Sequence, residues 1–231
     1  MRIEVLFPEY CNLFGDLFNI KYLQLCLPEA ERLDTHLWEE PALEEGGLIY
    51  MGPMSESTQE RVIEKLMPYR DRLRELIEGG TAFLLTGNAM EVFGSYIEAG
   101  DGRRIEGLGL LPIWARRDMM HRHNSVFLGD WQGQEVTGFK SQFTMAWPTE
   151  GAEGLFPVKK GVGLNKKCPY EGLRDHNLFA TYLQGPILPL NPCFAKSLME
   201  AMGAPEAELA FGEEAREAYR ARVADFYSKV R

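Results

Sequence analysis

The chain has 231 residues, of which 45% are hydrophobic, enough to bury the core of one compact domain over 1–231. Its formal net charge of -9 argues against a general nucleic-acid binder, which needs a basic face. Arg2 runs straight into the strand-like Ile3-Glu4-Val5-Leu6-Phe7 with no apolar leader, and no apolar run is long enough to span a bilayer, so the expectation is a cytoplasmic protein without membrane insertion.

Ile3 to Phe7 reads as the first strand and Asn19 to Leu27 as a helix, with Leu23 and Leu27 four apart. His36-Leu37-Trp38 is a candidate second strand, and Gly47 to Gly52 a buried third that ends in a glycine turn. Ser57 and Glu60 have capping-box spacing ahead of the apolar series Val62, Ile63, Leu66, Leu73, Leu76 and Ile77. Pro68 predicts a kink or two short helices, and Gly79-Gly80 a stop. Thr81 to Thr86 follows as a strand, then Gly87-Asn88-Ala89 and a helix from Met90 to Ala99.

Residues 1–99 therefore alternate strand and helix, the pattern of a parallel sheet covered on both faces. Between 103 and 165 the pattern changes to strands separated by glycine turns: Ile105–Leu110, Ser125–Leu128, Glu135–Phe139 and Val158–Gly163. Phe179 to Leu183 is a further strand, ending in Gln184-Gly185-Pro186. Two helices close the chain, Pro192–Met202 and about 205–230, the latter with a stripe of Ala215, Tyr219, Val223, Phe226 and Val230. The expected fold is α/β, a three-layer sandwich with a flavodoxin-like core.

Cys11, Cys26, Cys168 and Cys193 form no CxxC pair and no cluster with zinc spacing, so reduced thiols and no metal or cofactor are expected. The segment Phe83 to Glu91 runs from strand to helix through a tight turn, the kind of elbow that holds a nucleophile above a sheet with backbone N–H groups beside it.

Several ordered blocks resemble one family. Asn12-Leu13-Phe14-Gly15-Asp16-Leu17-Phe18-Asn19-Ile20 is similar to Asn-Leu-Tyr-Gly-Asp-x-x-Asn-Ile of the CobB/CobQ-type class I glutamine amidotransferases, in particular the amidotransferase subunits of lipid II isoglutaminyl synthases. Glu171-Gly172-Leu173-Arg174 resembles a later Glu-Gly block. Thr181-Tyr182-Leu183-Gln184-Gly185-Pro186-Ile187-Leu188-Pro189-Leu190-Asn191-Pro192 resembles that family's Thr-Tyr-x-His-Gly-Pro-x-Leu-Pro-x-Asn-Pro, and Gly138-Phe139 opens a segment like Gly-Phe-Glu-Asn-His.

The resemblance implies a class I glutamine amidotransferase fold, and the departures fall on the chemistry. The family's elbow runs Cys-Gly-Gly-Tyr-Gln; counted back from Gly94, this chain has Gly87 at the cysteine, then Asn88, Ala89, Met90 and Glu91. Gln184 stands at the histidine, and Lys140-Ser141-Gln142 at Glu-Asn-His, while Asp16 matches the aspartate that orients the histidine. Arg122 falls near an arginine that helps hold glutamine, and Gly52 and Gln142 are further candidates for ligand contact. Hydrolysis through a thioester needs a thiolate and a base; Gly87 has no side chain and Gln184 does not titrate near neutral pH.

Bland roles compete at each position. Glu91 sits equally well on a helix surface near the N-terminal dipole, Gln184 on loop backbone, and Asp16 as a cap near Asn19. His121 and His123 with Arg116, Arg117 and Arg122 read either as a solvated loop or as a site for a phosphate or carboxylate. Three functional readings stand. One is a non-catalytic family member binding an amino acid or other small anion, or a Mur-ligase-like subunit. The second is altered chemistry by Asp16 and Glu91 in the old cleft, and the third an active glutaminase.

Overall fold

The computed structural model describes residues 1–229. In chain order the strands are β1 (Arg2–Leu6), β2 (Glu31–Thr35), β3 (Leu48–Met51), β4 (Ala82–Thr86), β5 (Tyr96–Glu98), β6 (Arg104–Glu106), β7 (Ile113–Arg117), β8 (His123–Trp131), β9 (Gln134–Gln142), β10 (Thr144–Pro148), β11 (Glu153–Lys160), β12 (Tyr170–Asp175) and β13 (Leu178–Thr181). The helices are α1 (Phe18–Cys26), α2 (Glu56–Leu66), α3 (Arg70–Glu78), α4 (Ala89–Phe93), α5 (Ile187–Leu190), α6 (Pro192–Ala201) and α7 (Gly212–Lys229).

Nine strands form the main sheet in the order β2-β1-β3-β4-β13-β12-β11-β8-β9. The first five run parallel; from β12 onward the pairs are antiparallel. Every residue of β3 and β4 is buried, which is why both read as unbroken apolar runs. Ile3, Val5, Tyr50 and Leu84 face α1 and α6 on one side. Ile49, Met51, Phe83 and Leu85 face α2 and α3 on the other. The expected three-layer α/β sandwich is thus present. A smaller sheet, ordered β10-β7-β5-β6, packs on the α2–α3 side through Ile97, Ile113, Ala115 and Ala146.

Edge-on aromatic packing fixes α6: the Phe194 ring lies 5.1 Å from Phe156, 5.6 Å from Trp131 and 5.7 Å from Phe179. Fully burying such a side chain contributes about 1.5–3 kcal/mol, and the T-shaped pairs add to it. No helix among the described residues is long and apolar enough to cross a membrane.

Several boundaries differ from the sequence reading. The second strand is Glu31–Thr35, not 36–38; it is a sheet edge, and its polar composition suits that place. His36 and Trp38 instead stack on each other at 4.8 Å, with Trp38 71% exposed. Ser55, not Ser57, caps α2 by accepting a hydrogen bond from the Thr58 amide at 3.2 Å. The proline turn 67–69 does divide α2 from α3. The helix placed over 90–99 stops at Phe93, because Gly94 is extended and Tyr96–Glu98 pairs with β6 and β7. The long strand at 105–110 shrinks to β6, and Val158–Gly163 becomes β11, which starts at Glu153. The last helix begins at Gly212 rather than 205; Phe226 is buried and Ala215, Tyr219 and Val223 are half-buried, while Val230 lies outside the described residues.

Candidate functional site

The C-terminal ends of β1, β3, β4 and β13 converge, and loops from each line a cleft of about 230 Å³. Ligands of open parallel sheets gather at this end. The cleft wall includes Phe14 after β1, Pro53 and Met54 after β3, Asn88 after β4, Gln184 after β13, Arg122 just before β8, and Ser141 and Gln142 at the end of β9.

Gly87 forms the elbow between β4 and α4, in the left-handed region at φ +59°. That conformation strains any residue with a Cβ. A Cβ placed there would lie 2.5 Å from Pro53 Cβ and 3.0 Å from Gln184 Nε2. The space beside the elbow is therefore filled. Asn88 holds that filling in place: its Oδ1 accepts from the Met54 amide at 3.0 Å and its Nδ2 donates to the Met54 carbonyl at 2.9 Å.

Gln184 is buried, and its backbone amide donates to the Phe139 carbonyl at 2.9 Å. Its Oε1 and the Oε1 of Gln142 are buried without a hydrogen-bond partner. Each such acceptor costs about 1–3 kcal/mol if left dry. Gln142 Nε2 donates to the Thr144 carbonyl at 2.6 Å. Arg122 Nη1 donates to Ser141 Oγ at 3.1 Å, with the guanidinium 4.4 Å from the centre of the Phe143 ring.

Asp16 and Glu91 do not line this cleft. Asp16 Oδ2 accepts from Tyr50 Oη at 2.6 Å, from Asn19 Nδ2 at 3.1 Å and from Thr86 Oγ1. It binds no backbone amide of α1; the Leu17 amide bonds Asn12 instead, at 3.0 Å. Glu91 Oε2 accepts from Gln59 Nε2 at 2.9 Å, and Oε1 from Tyr182 Oη at 2.8 Å and Thr144 Oγ1 at 2.5 Å. Burial pushes both carboxyls above their ordinary values against the pull of these donors. Tyr50 belongs to one face of the sheet and Tyr182 to the other, so the two acids sit in separate pockets of side chains. Gly52 is also buried away from the cleft, its Cα backed by the Cys11 carbonyl and Tyr50 Oη.

Residues 2–192 match the CobB/CobQ-like glutamine amidotransferase domain. The chain belongs to this family. It is 25% identical over 193 residues to the GatD subunit of the glutamine-hydrolysing lipid II isoglutaminyl synthase of Staphylococcus aureus strain N315, covering 82% of this chain and 79% of that protein. The GatD subunit of Streptococcus pneumoniae strain ATCC BAA-255 / R6 is 24% identical over 212 residues, covering 86% and 79%. Among solved structures, a glutamine amidotransferase matches with TM-score 0.53 at 15% identity over 87% of this chain and 98% of its own. PurLQS from Thermotoga maritima matches with TM-score 0.51 at 11% identity over 96% and 98%. These structures share the class I amidotransferase fold.

Within this family member, the cysteines sit outside the cleft wall. Cys11 is buried against Met54, Sγ to Sδ 3.8 Å, and burial pushes its thiol far up. Cys193 is exposed and Cys168 partly so, and all four cysteines are free. No group of three or more His, Cys, Asp or Glu side chains among the described residues could hold a metal ion. Sequence reading missed Pro53, whose role depends on a neighbour 34 positions away. It also missed the chain from Glu91 through Gln59 to Arg117, whose Nη2 donates to Gln59 Oε1 at 2.9 Å and Nη1 to Glu60 at 2.8 Å.

Proposed function

We propose that this chain is a single amidotransferase-family domain that has lost glutamine hydrolysis and acts in the cytoplasm as a ligand-binding or partner subunit. One observation carries the reading: Gly87 keeps the elbow backbone, while Pro53 and Gln184 occupy the volume a nucleophilic side chain would need. By the resemblance of the flanking motifs, Gly87 stands where the family has its cysteine and Gln184 where it has its histidine. Acyl transfer needs a nucleophile and a proton carrier, and neither residue provides one.

What the cleft offers instead is recognition. Two unpartnered amide oxygens, on Gln142 and Gln184, call for N–H donors, and Arg122, shared with the neighbouring basic cavity, supplies a cation for an anionic group. A free amino acid such as glutamine or glutamate has both. The two GatD relatives are named as subunits of lipid II isoglutaminyl synthase, which makes a Mur-ligase-like amide synthase the first partner to test.

The test is a glutaminase assay on the purified chain, alone and with that partner co-expressed, alongside calorimetric titration with glutamine and glutamate. The expected outcome is saturable binding with no ammonia release in either case. Ammonia release that stops on thiol alkylation, with an acyl group trapped on a cysteine, would overturn the reading.

A further inference from the structure

A second cavity of about 330 Å³ adjoins the cleft across Arg122, Phe143 and Thr144. Arg116, His121, Arg122, His123 and Lys166 line it, with Asp118 as the acidic member. Part of this charge is already matched. Asp118 Oδ2 is 2.8 Å from His121 Nδ1, and Arg116 pairs with Glu98 at 3.0 Å. Arg122 and Lys166 have no carboxylate partner among the described residues. In a chain of net charge -9, two unmatched cations on one small cavity are conspicuous.

The third element is His123, at the first position of β8 and paired across the hairpin with Gln142. Its Nε2 is buried and has no hydrogen-bond partner. A buried ring nitrogen left dry is destabilising, so a ligand atom that bonds it recovers that loss. Arg122 is already oriented by Ser141 and the face of Phe143, so little side-chain freedom remains to be lost on binding.

We propose that this cavity is a subsite for a phosphate-class oxyanion. Arg122 and Lys166 supply the charge and His123 Nε2–H a hydrogen bond. Arg122 and His123 stand together at the start of β8, and Lys166 comes from the loop between β11 and β12. Three separate donors can each take a different oxygen of a phosphate, whereas a carboxylate has only two oxygens to share among them. The volume exceeds that of one phosphate and the cavity shares Arg122, Phe143 and Thr144 with the cleft, so the ligand class is a phosphorylated small molecule rather than the free ion. The assignment does not depend on whether glutamine is hydrolysed.

Calorimetric titration of the full chain with inorganic phosphate, in a phosphate-free and low-salt buffer, tests it. Saturable one-site binding is expected. Arg122→Ala with Lys166→Ala should weaken it by roughly tenfold or more, the loss of at least one charge-assisted bond, with an unchanged far-UV spectrum and melting temperature. His123→Phe should also weaken binding, while Arg220→Ala, in the separate cavity between α6 and α7, should leave it alone. No saturable heat up to about 10 mM phosphate would overturn the proposal. So would wild-type affinity in the double variant, or acetate competing as well as phosphate does.

Discussion

Replacing Gly87 by alanine measures directly how tightly the elbow is filled. The matched control is Gly151, in the turn between β10 and β11, which has φ +84° and nothing within 4 Å of a built Cβ. Both alanine variants place a side chain in the left-handed region, at a cost of about 1–2 kcal/mol. Gly87→Ala must also push its methyl against Pro53 Cβ, 2.5 Å away. A proline ring cannot rotate aside like a long side chain, so overpacking adds about 1–3 kcal/mol. Urea denaturation followed by circular dichroism should therefore give about 1–2 kcal/mol for Gly151→Ala and about 2–5 kcal/mol for Gly87→Ala. Adding Pro53→Gly to Gly87→Ala should return the steric part and leave the backbone strain, which a double-mutant cycle reads as favourable coupling. Equal losses at the two glycines would show that the 52–54 loop yields freely. The argument that no side chain fits at the elbow would then fail.

Two more outcomes follow from buried titratable groups. Burial raises the Glu91 carboxyl above its ordinary 4.5, so its stabilising share is complete below that value and is lost as pH rises through the folded one. Glu91→Gln stays neutral throughout, so its cost by urea denaturation should be largest near pH 5 and smaller at pH 8; a cost that grows with pH would mean the carboxylate is bound charged. For the thiols, iodoacetamide followed by peptide mass spectrometry should modify exposed Cys193 first and leave Cys11 unmodified until the protein unfolds. Prompt labelling of Cys11 would show that its thiol is accessible and make it a candidate nucleophile.

The parallel half of the fold was readable because strands buried on both faces are plain apolar runs, as in Leu-Ile-Tyr-Met of β3. The edge strand β2 is not such a run, and the exposed Trp38 mimicked one. The smaller sheet was missed largely because β5, β7 and β10 alternate inward aliphatics with outward Tyr96, Trp114 and Trp147, which stack on each other at 5.5 and 4.6 Å. Outward aromatics look like core when neighbours are unknown. At the site, flanking motifs were enough to pair Gly87 with Gln184, whose amide nitrogen does lie against the elbow. That Asp16 and Glu91 face opposite sides of the sheet was not legible, since neither lies in a strand and each borrows its side from a tyrosine elsewhere in the chain.

The Pro53 ring against Gly87 also bears on how this chain can change over generations. A cysteine codon at position 87 meets a backbone that strains it, a ring that blocks it and a glutamine where a proton carrier would be required. Each of the three positions must differ before any one difference is useful, and the first step alone weakens the fold. A single substitution at position 87 therefore does not install a nucleophile without displacing Pro53. Exposed residues of the basic annex, such as Arg122 and Lys166, are free of that constraint, since their side chains can be exchanged one at a time.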